Sequence, residues 1–191
     1  MTETVIGLLR HGQTDWNIDF RLQGITDIPL NQTGIAQAHS AAAKLRSEDW
    51  NFVASSPLVR ALETAKIVAS ALAVSEVAIE PLLLERSFGD AEGLTHAEWK
   101  TQFPDGAPPG GESLDALRTR ANELLNQLLS TYRGTKVLAV SHGAMIRKIV
   151  RVVSKGQLPI AGERFENTSL TVLVHDSDGW RISSYNPKSL S

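Results

Sequence analysis

The chain contains no cysteine. Disulfides, thiolate metal sites and a cysteine nucleophile are therefore excluded, and a reducing compartment suits it. It also has no excess of charge of one sign, since 19 Lys+Arg stand against 21 Asp+Glu, a net charge of -2 at pH 7. That balance excludes a polybasic nucleic-acid binder and a basic membrane tail, while leaving room for a local basic pocket. No apolar stretch approaches the ~20 residues that span a bilayer. The opening Met-Thr-Glu-Thr has no basic n-region, and the run Val5 to Leu9 is too short for a signal segment. A cytoplasmic protein with no nucleic-acid and no membrane partner is expected. Repeats, low-complexity tracts, a Walker-type loop and a Gly-x-Gly-x-x-Gly fingerprint are all missing from the sequence. No spacing of His, Asp and Glu reads as a metal site, so neither a metal nor another cofactor is expected.

What is present is enough for one core. The 191 residues, 42% of them hydrophobic, predict a single domain over 1–191. Short apolar runs alternate with longer amphipathic stretches. Val5-Leu9, Asn51-Ala54, Val77-Glu80 and Lys136-Val140 read as strands, and Ser169-Val174 and Trp180-Ser184 as two closing strands around an Asp-Ser-Asp-Gly turn. Helical spacing runs from Gly34 to Leu45, from Ala61 to Leu72, from Leu114 to Leu129, and onward from Ala144. Ser55-Ser56-Pro57 looks like a serine-capped helix start with proline in its first turn. Residues 13 to 33 read as loop. Residues 86 to 112, rich in Gly, Pro and acids, read as a lid or specificity segment with a short helix at His96 to Gln102. The fold class expected is three-layer α/β/α with a mostly parallel central sheet. In such sheets the site lies at the carboxyl ends of the strands.

Two histidines sit at such ends. Arg10-His11-Gly12 closes the first strand and Ser141-His142-Gly143 closes the strongest one. A neutral histidine can attack an electrophile with one ring nitrogen if the other is held by an acceptor. The neighbouring Arg10 offers a planar donor fork for phosphate, and Gly12 places no side chain in the way. Read alone, such a histidine is more often a satisfied structural group. Two of them at one edge, with a helix N-terminus after His142, make an anion pocket the better reading. Arg60, in the first turn of a helix that begins at another strand end, is either a surface cation or part of that pocket. Glu85 is either a helix cap or the acid that protonates a leaving oxygen.

The blocks Leu8-Leu9-Arg10-His11-Gly12-Gln13-Thr14-Asp15-Trp16-Asn17, Arg21-Leu22-Gln23-Gly24, Ser55-Ser56-Pro57-Leu58-Val59-Arg60, Leu84-Glu85-Arg86-Ser87-Phe88-Gly89 and Val140-Ser141-His142-Gly143 stand in an order that resembles the histidine phosphatase superfamily, the phosphoglycerate-mutase-like proteins. The resemblance covers most of the chain and implies a phosphoglycerate-mutase-like fold. It implies that His11 becomes phosphohistidine, that Arg10, Arg60 and His142 hold the phosphoryl oxygens, and that Glu85 donates the proton. It further implies that Asn17, Gln23, Gly24 and the Gly143 N–H line the site. Thr14 is placed either against phosphate or in the structure of its turn. No metal is implied.

Three activities compete: a phosphomonoesterase acting on a small phosphorylated metabolite, a cofactor-dependent phosphoglycerate mutase, and a pocket that binds a phosphorylated ligand without turnover. The sequence favours the first. Segment 86–112 carries Asp90, Glu92, Glu98, Asp105 and Glu112 against Arg86 and Lys100, and an acidic lid is a poor clamp for a doubly anionic glycerate. Phe88 also stands where mutases of this kind usually carry tyrosine. His39, His96 and His175 have no partner at a readable spacing, and Trp16 is expected to pack in the core. A homodimer is compatible with the sequence but nothing in it argues for one.

Overall fold

The computed structural model describes residues 3–46, 49–105 and 108–190. Six strands form one sheet: β1 (Thr4–Arg10), β2 (Phe52–Ser55), β3 (Val77–Ile79), β4 (Lys136–Ser141), β5 (Ser169–Asp176) and β6 (Gly179–Ser189). Their order is β3-β2-β4-β1-β5-β6. The four strands on one side run parallel, and the β5-β6 hairpin adds antiparallel to β1. Helices α1 (Asp15–Ile18), α2 (Gln32–Leu45), α3 (Val59–Ala71), α4 (His96–Gln102), α5 (Leu114–Thr131) and α6 (Gly143–Val153) complete the main elements.

The central strands are apolar on both faces because each face is covered. Ile6, Leu8, Val137 and Ala139 point to one side and pack with Leu117, Leu124 and Leu128 of α5 and Ile146 and Ile149 of α6. Leu9, Leu138 and Val140 point to the other and pack with Leu45 of α2 and Ala61, Ala65 and Val68 of α3. Period-2 strands and period-3.6 helices thereby fill two cores on either side of the sheet. This is the mixed α/β architecture expected from the sequence. No helix among the described residues is long and apolar enough to cross a membrane.

Three local expectations are corrected. The stretch 13–33 is not all loop: Thr14 and Asn17 form a reciprocal capping box that starts the single-turn helix α1. Ser55-Ser56-Pro57 does not start a helix. Ser55 ends β2, and α3 begins at Val59 with no side-chain cap of its own. The capping bond comes from afar instead, as the Val59 N–H donates to Asp27 Oδ1 at 2.7 Å. Strand β6 runs on past Ser184 to Ser189 through Pro187, which an edge strand tolerates because no neighbour needs the missing N–H.

Segment 86–112, of which 106 and 107 lie outside the described residues, folds around its own acids. Glu92 accepts from the N–H groups of Ile25, Thr26 and Phe88 at 2.9 to 3.1 Å and from the Thr26 hydroxyl at 2.5 Å. Glu98 closes a capping box with Thr95 and starts α4, where the sequence placed a helix. Glu112 binds Arg120 of α5.

Candidate active site

Backbone geometry sets the position of His11. His11 follows β1, and its N–H donates to Ser141 O at 3.0 Å, which keeps it level with the end of β4. Its Nδ1 lies 2.7 Å from Gly12 O. A carbonyl only accepts, so Nδ1 carries the proton and Nε2 keeps a lone pair. The ring is 2% exposed. Burial pushes its pKa well below the usual histidine range, and the charges of Arg60 and Arg10 push it further. The neutral form is therefore the resting one. Gly12 contributes by close approach: a Cβ there would stand 2.4 Å from Gly34 O, so α2 rests directly on this loop. The Gly12 N–H donates to Thr64 Oγ1 at 3.1 Å.

Cations surround that ring. Arg60, fully buried, donates from Nη1 to Thr26 O and from Nη2 to Gly24 O, both at 2.8 Å. Arg10 donates from Nη1 to Phe165 O at 2.5 Å. Its pKa is lowered to about 10, mainly by burial, with Glu85 opposing and Arg60 assisting. The His142 ring centroid is 5.1 Å from that of His11, and its Nε2 contacts Ser56 Oγ at 2.8 Å. Burial, then the charge of Arg60, holds His142 well below the usual range too. Three buried atoms of this group have no partner in the protein: Arg10 Nε, Arg60 Nε and His142 Nδ1.

Glu85 both caps α6 and lines the cavity. Its Oε2 accepts the Ala144 N–H at 3.1 Å and its Oε1 the Met145 N–H at 3.2 Å, so it caps α6. Its Oε1 also accepts the Arg86 N–H at 2.8 Å. Both lone pairs of Oε1 are thereby used and one on Oε2 is left, which makes Oε2 the atom able to carry a transferable proton. Gly143 lies one residue ahead of that cap and lines the cavity. A Cβ there would be 3.7 Å from Arg10 Nε.

A cavity of about 810 Å³ opens over these groups, lined among others by Arg10, His11, Asn17, Gln23, Gly24, Arg60, Glu85 and Gly143. Gly24 sits at φ +55, where a Cβ would strike the Glu92 carboxylate at 2.0 Å. Gln23 presents a buried, unpartnered Oε1. Thr14, Gly12 and His142 lie behind the cavity wall. Thr14 is fully buried in its capping box, which is the turn role of the two considered. Asn17 Oδ1 is held by the Thr14 N–H at 3.1 Å and by Asn167 Nδ2 at 3.2 Å. Asn167, which sequence reasoning missed, also donates to His11 O at 3.0 Å. Ser56 and Thr64 were missed for the same reason: their partners lie 86 and 52 residues away.

The wall corrects three further expectations. Trp16 and His96, placed in structural roles from sequence, both line the cavity, and His96 packs on Trp99 at 5.5 Å. None of the five acids of segment 86–112 lines it, and among the described residues that segment contributes Arg86, Phe88, His96 and Trp99. Arginines come from elsewhere. Arg147 lies over Phe165 at 5.8 Å, Arg164 over Phe20 at 5.9 Å and Arg86 over Phe88 at 5.2 Å. Among the described residues none of these three has a carboxylate within ion-pair distance. The mouth is therefore cationic.

Comparison with known proteins agrees with this geometry. Residues 6–188 match the profile of the histidine phosphatase superfamily, branch 1. The chain belongs to that superfamily. It is 37% identical over 183 residues to the uncharacterized phosphatase PhoE of Bacillus subtilis, covering 96% of this chain and 94% of that one. It is 34% identical over 192 residues to the probable phosphoglycerate mutase GpmB of Yersinia pestis, covering 93% and 88%. The solved structure of the mycobacterial glucosyl-3-phosphoglycerate phosphatase superposes with a TM-score of 0.83 at 30% identity, covering 96% and 99%. A phosphatase of this superfamily is the coarse function.

Proposed function

We propose that the chain is a metal-independent phosphomonoesterase that works through phosphohistidine on His11 and accepts small phosphate esters whose alcohol part carries a second anionic group. One observation carries the reading: among the described residues three buried nitrogens, Arg10 Nε, Arg60 Nε and His142 Nδ1, have no hydrogen-bond partner beside a neutral histidine with a free Nε2. Buried donors are normally satisfied. A phosphoryl group supplies acceptor oxygens to all three and an electrophilic phosphorus to the histidine.

In the first step His11 Nε2 forms a bond to phosphorus and the ester P–O bond breaks. The leaving oxygen takes the proton from Glu85 Oε2. In the second step water gives a proton to Glu85 Oε2 and its oxygen bonds to phosphorus, the P–N bond breaks with its electron pair returning to His11 Nε2, and phosphate is released. The arginines and the Gly143 N–H supply the charge stabilisation that a metal ion supplies in other phosphoryl-transfer sites. The second anionic group is proposed from the mouth, where Arg86, Arg147 and Arg164 are stacked on phenylalanines and none forms an ion pair among the described residues, although Glu85 and Glu112 act on Arg86 and Glu163 and Glu166 also line the cavity. Stacking fixes each guanidinium plane, and beyond the one carbonyl that Arg86 and Arg147 each bind, further donors are left for an anion. The glycerate-bearing substrate named for the mycobacterial neighbour is consistent with it.

The test uses radiolabelled phosphate esters with EDTA present. Wild type is expected to release phosphate and to trap a base-stable, acid-labile label that the His11→Ala variant lacks. Arg164→Ala is expected to raise KM for 3-phosphoglycerate several-fold and leave phenyl phosphate unchanged. Label on a serine or aspartate, or loss of activity with EDTA, refutes the mechanism. Formation of 2-phosphoglycerate with little phosphate release would establish the mutase reading, which the cationic mouth and the similarity to the probable mutase keep in view.

A further inference from the structure

Ser56 is fully buried and is not part of the cavity wall. Its hydroxyl nevertheless meets the catalytic cluster at His142 Nε2, 2.8 Å away. The Ser56 oxygen also accepts the Leu58 N–H at 3.4 Å, while the Ser56 backbone N–H is used up on Val140 O at 3.0 Å. Among the described residues the acceptor that the hydroxyl proton meets is His142 Nε2.

We infer that Ser56 is a positioning residue that fixes His142 as the neutral tautomer protonated on Nδ1, so that a neutral N–H is aimed at the phosphoryl oxygens. If Nε2 carried the proton, it would donate to Ser56, and the serine hydroxyl would be left buried with nothing to bond. In that arrangement Nδ1 would also present a lone pair to an incoming phosphoryl oxygen, lone pair against lone pair. With the serine proton on the Nε2 side, every group is satisfied once a phosphoryl oxygen accepts from Nδ1. A neutral ring is also what the surroundings favour, since Arg10, Arg60 and Arg120 all act on it electrostatically. His11 and His142 then form a complementary pair at one sheet edge. Both carry the proton on Nδ1, but Gly12 O holds it in His11, leaving Nε2 to attack, while Ser56 holds Nε2 in His142, leaving Nδ1–H to donate.

This inference deepens the phosphatase reading, yet its first test does not need turnover. Nitrogen-15 spectra of ring-labelled wild-type protein at neutral pH report which nitrogen of His142 is protonated, with His142→Gln used for assignment. The expected result is protonation at Nδ1, sharpened when orthovanadate is added. A spectrum with the proton on Nε2, or a doubly protonated ring, overturns the inference whatever the enzyme's activity. Kinetics then test the role. Ser56→Ala is expected to give a mixture of tautomers and to lower kcat about 10²-fold, the loss typical of one misdirected donor to a developing anion. Ser56→Thr, which keeps the hydroxyl, is expected to restore the single tautomer and most of kcat. In a His142→Gln background, Ser56→Ala is expected to cost nothing further. Equal additional loss in that background would show that Ser56 acts through packing and not through His142.

Discussion

Arg120 lies outside the cavity, yet it fixes the backbone that carries the acid. Its guanidinium donates from Nε to Glu112 Oε1 at 2.9 Å and from Nη2 to Glu112 Oε2 at 2.7 Å, a bidentate pair. The remaining donors reach Leu82 O at 2.9 Å, Leu84 O at 2.6 Å and Glu85 O at 3.2 Å. Arg120→Met keeps the length of the side chain and removes all five bonds. It strands the Glu112 carboxylate and three carbonyls. Breaking a buried pair by deleting one partner costs roughly 3–5 kcal/mol. Both side chains are 17% exposed, so water recovers part of that loss, and about 2–4 kcal/mol is expected. For a chain of this size each kcal/mol moves Tm by about 2–4 °C, which puts the fall at about 5–15 °C. Chemical denaturation with an unchanged m-value measures the loss. The Arg120→Met/Glu112→Leu double variant should recover part of it, since no charge is then stranded. Among variants that still fold, turnover of alkyl phosphates should fall more than turnover of activated aryl phosphates, because only the former need a well-placed Glu85. A loss below about 0.5 kcal/mol, the value of an ordinary surface pair, would refute the reasoning.

Two more outcomes follow from the same cluster. His11 and His142 are neutral in the fold, with pKa values pushed below the unfolded value of about 6.5 by burial. Below that pH the unfolded chain binds protons that the folded chain does not, so stability falls as pH falls, by up to about 1.4 kcal/mol per unit for each ring. Urea midpoints between pH 7 and 5 should drop less steeply in His142→Gln than in wild type, and parallel curves would contradict the assignment. Orthovanadate or phosphate should stabilise the protein by satisfying the orphaned donors, by about 2.7 kcal/mol at a hundred times Kd, a rise of about 5–11 °C in Tm. Arg60→Met should abolish most of that rise in a thermal scan, and an undiminished rise would place the anion elsewhere.

Local pattern made part of this legible. His11 and His142 could be placed at one edge because each ends an apolar run, and a parallel sheet aligns such ends. Helix α4 could be placed because Thr95 and Glu98 form a cap within a few residues of each other. The start of α3 could not, because Asp27, which caps it, is thirty-two residues away in sequence, and the serine that looks like a cap is committed to His142. Trp16 and His96 were misplaced because a side chain's periodicity says whether it points inward, not whether what lies inward is core or cavity. Glu85 was ambiguous for a sound reason, since it caps α6 and faces the cavity at once.

The misreading of segment 86–112 shows how charge has to be counted in such a site. Summed along the sequence, its acids outnumber its bases, and a clamp for anions looks improbable. Placed in space, Glu92, Glu98 and Glu112 are spent on N–H groups and on Arg120, while the cavity keeps its cations. The cavity arginines are held differently. Arg10 is anchored on Phe165 O, Arg60 on Thr26 O and Gly24 O, Arg86 on Glu112 O and Arg147 on Glu163 O. A carbonyl fixes a guanidinium without cancelling its charge, whereas a carboxylate does both. Outside the cavity Arg120 uses a carboxylate and its charge is spent on structure. Inside it, among the described residues, carbonyl anchors hold Arg10, Arg60, Arg86 and Arg147 without an ion pair, Glu85 offsets Arg10 and Arg60 only through space, and an anion that enters the cavity is the direct counter-ion that these arginines lack.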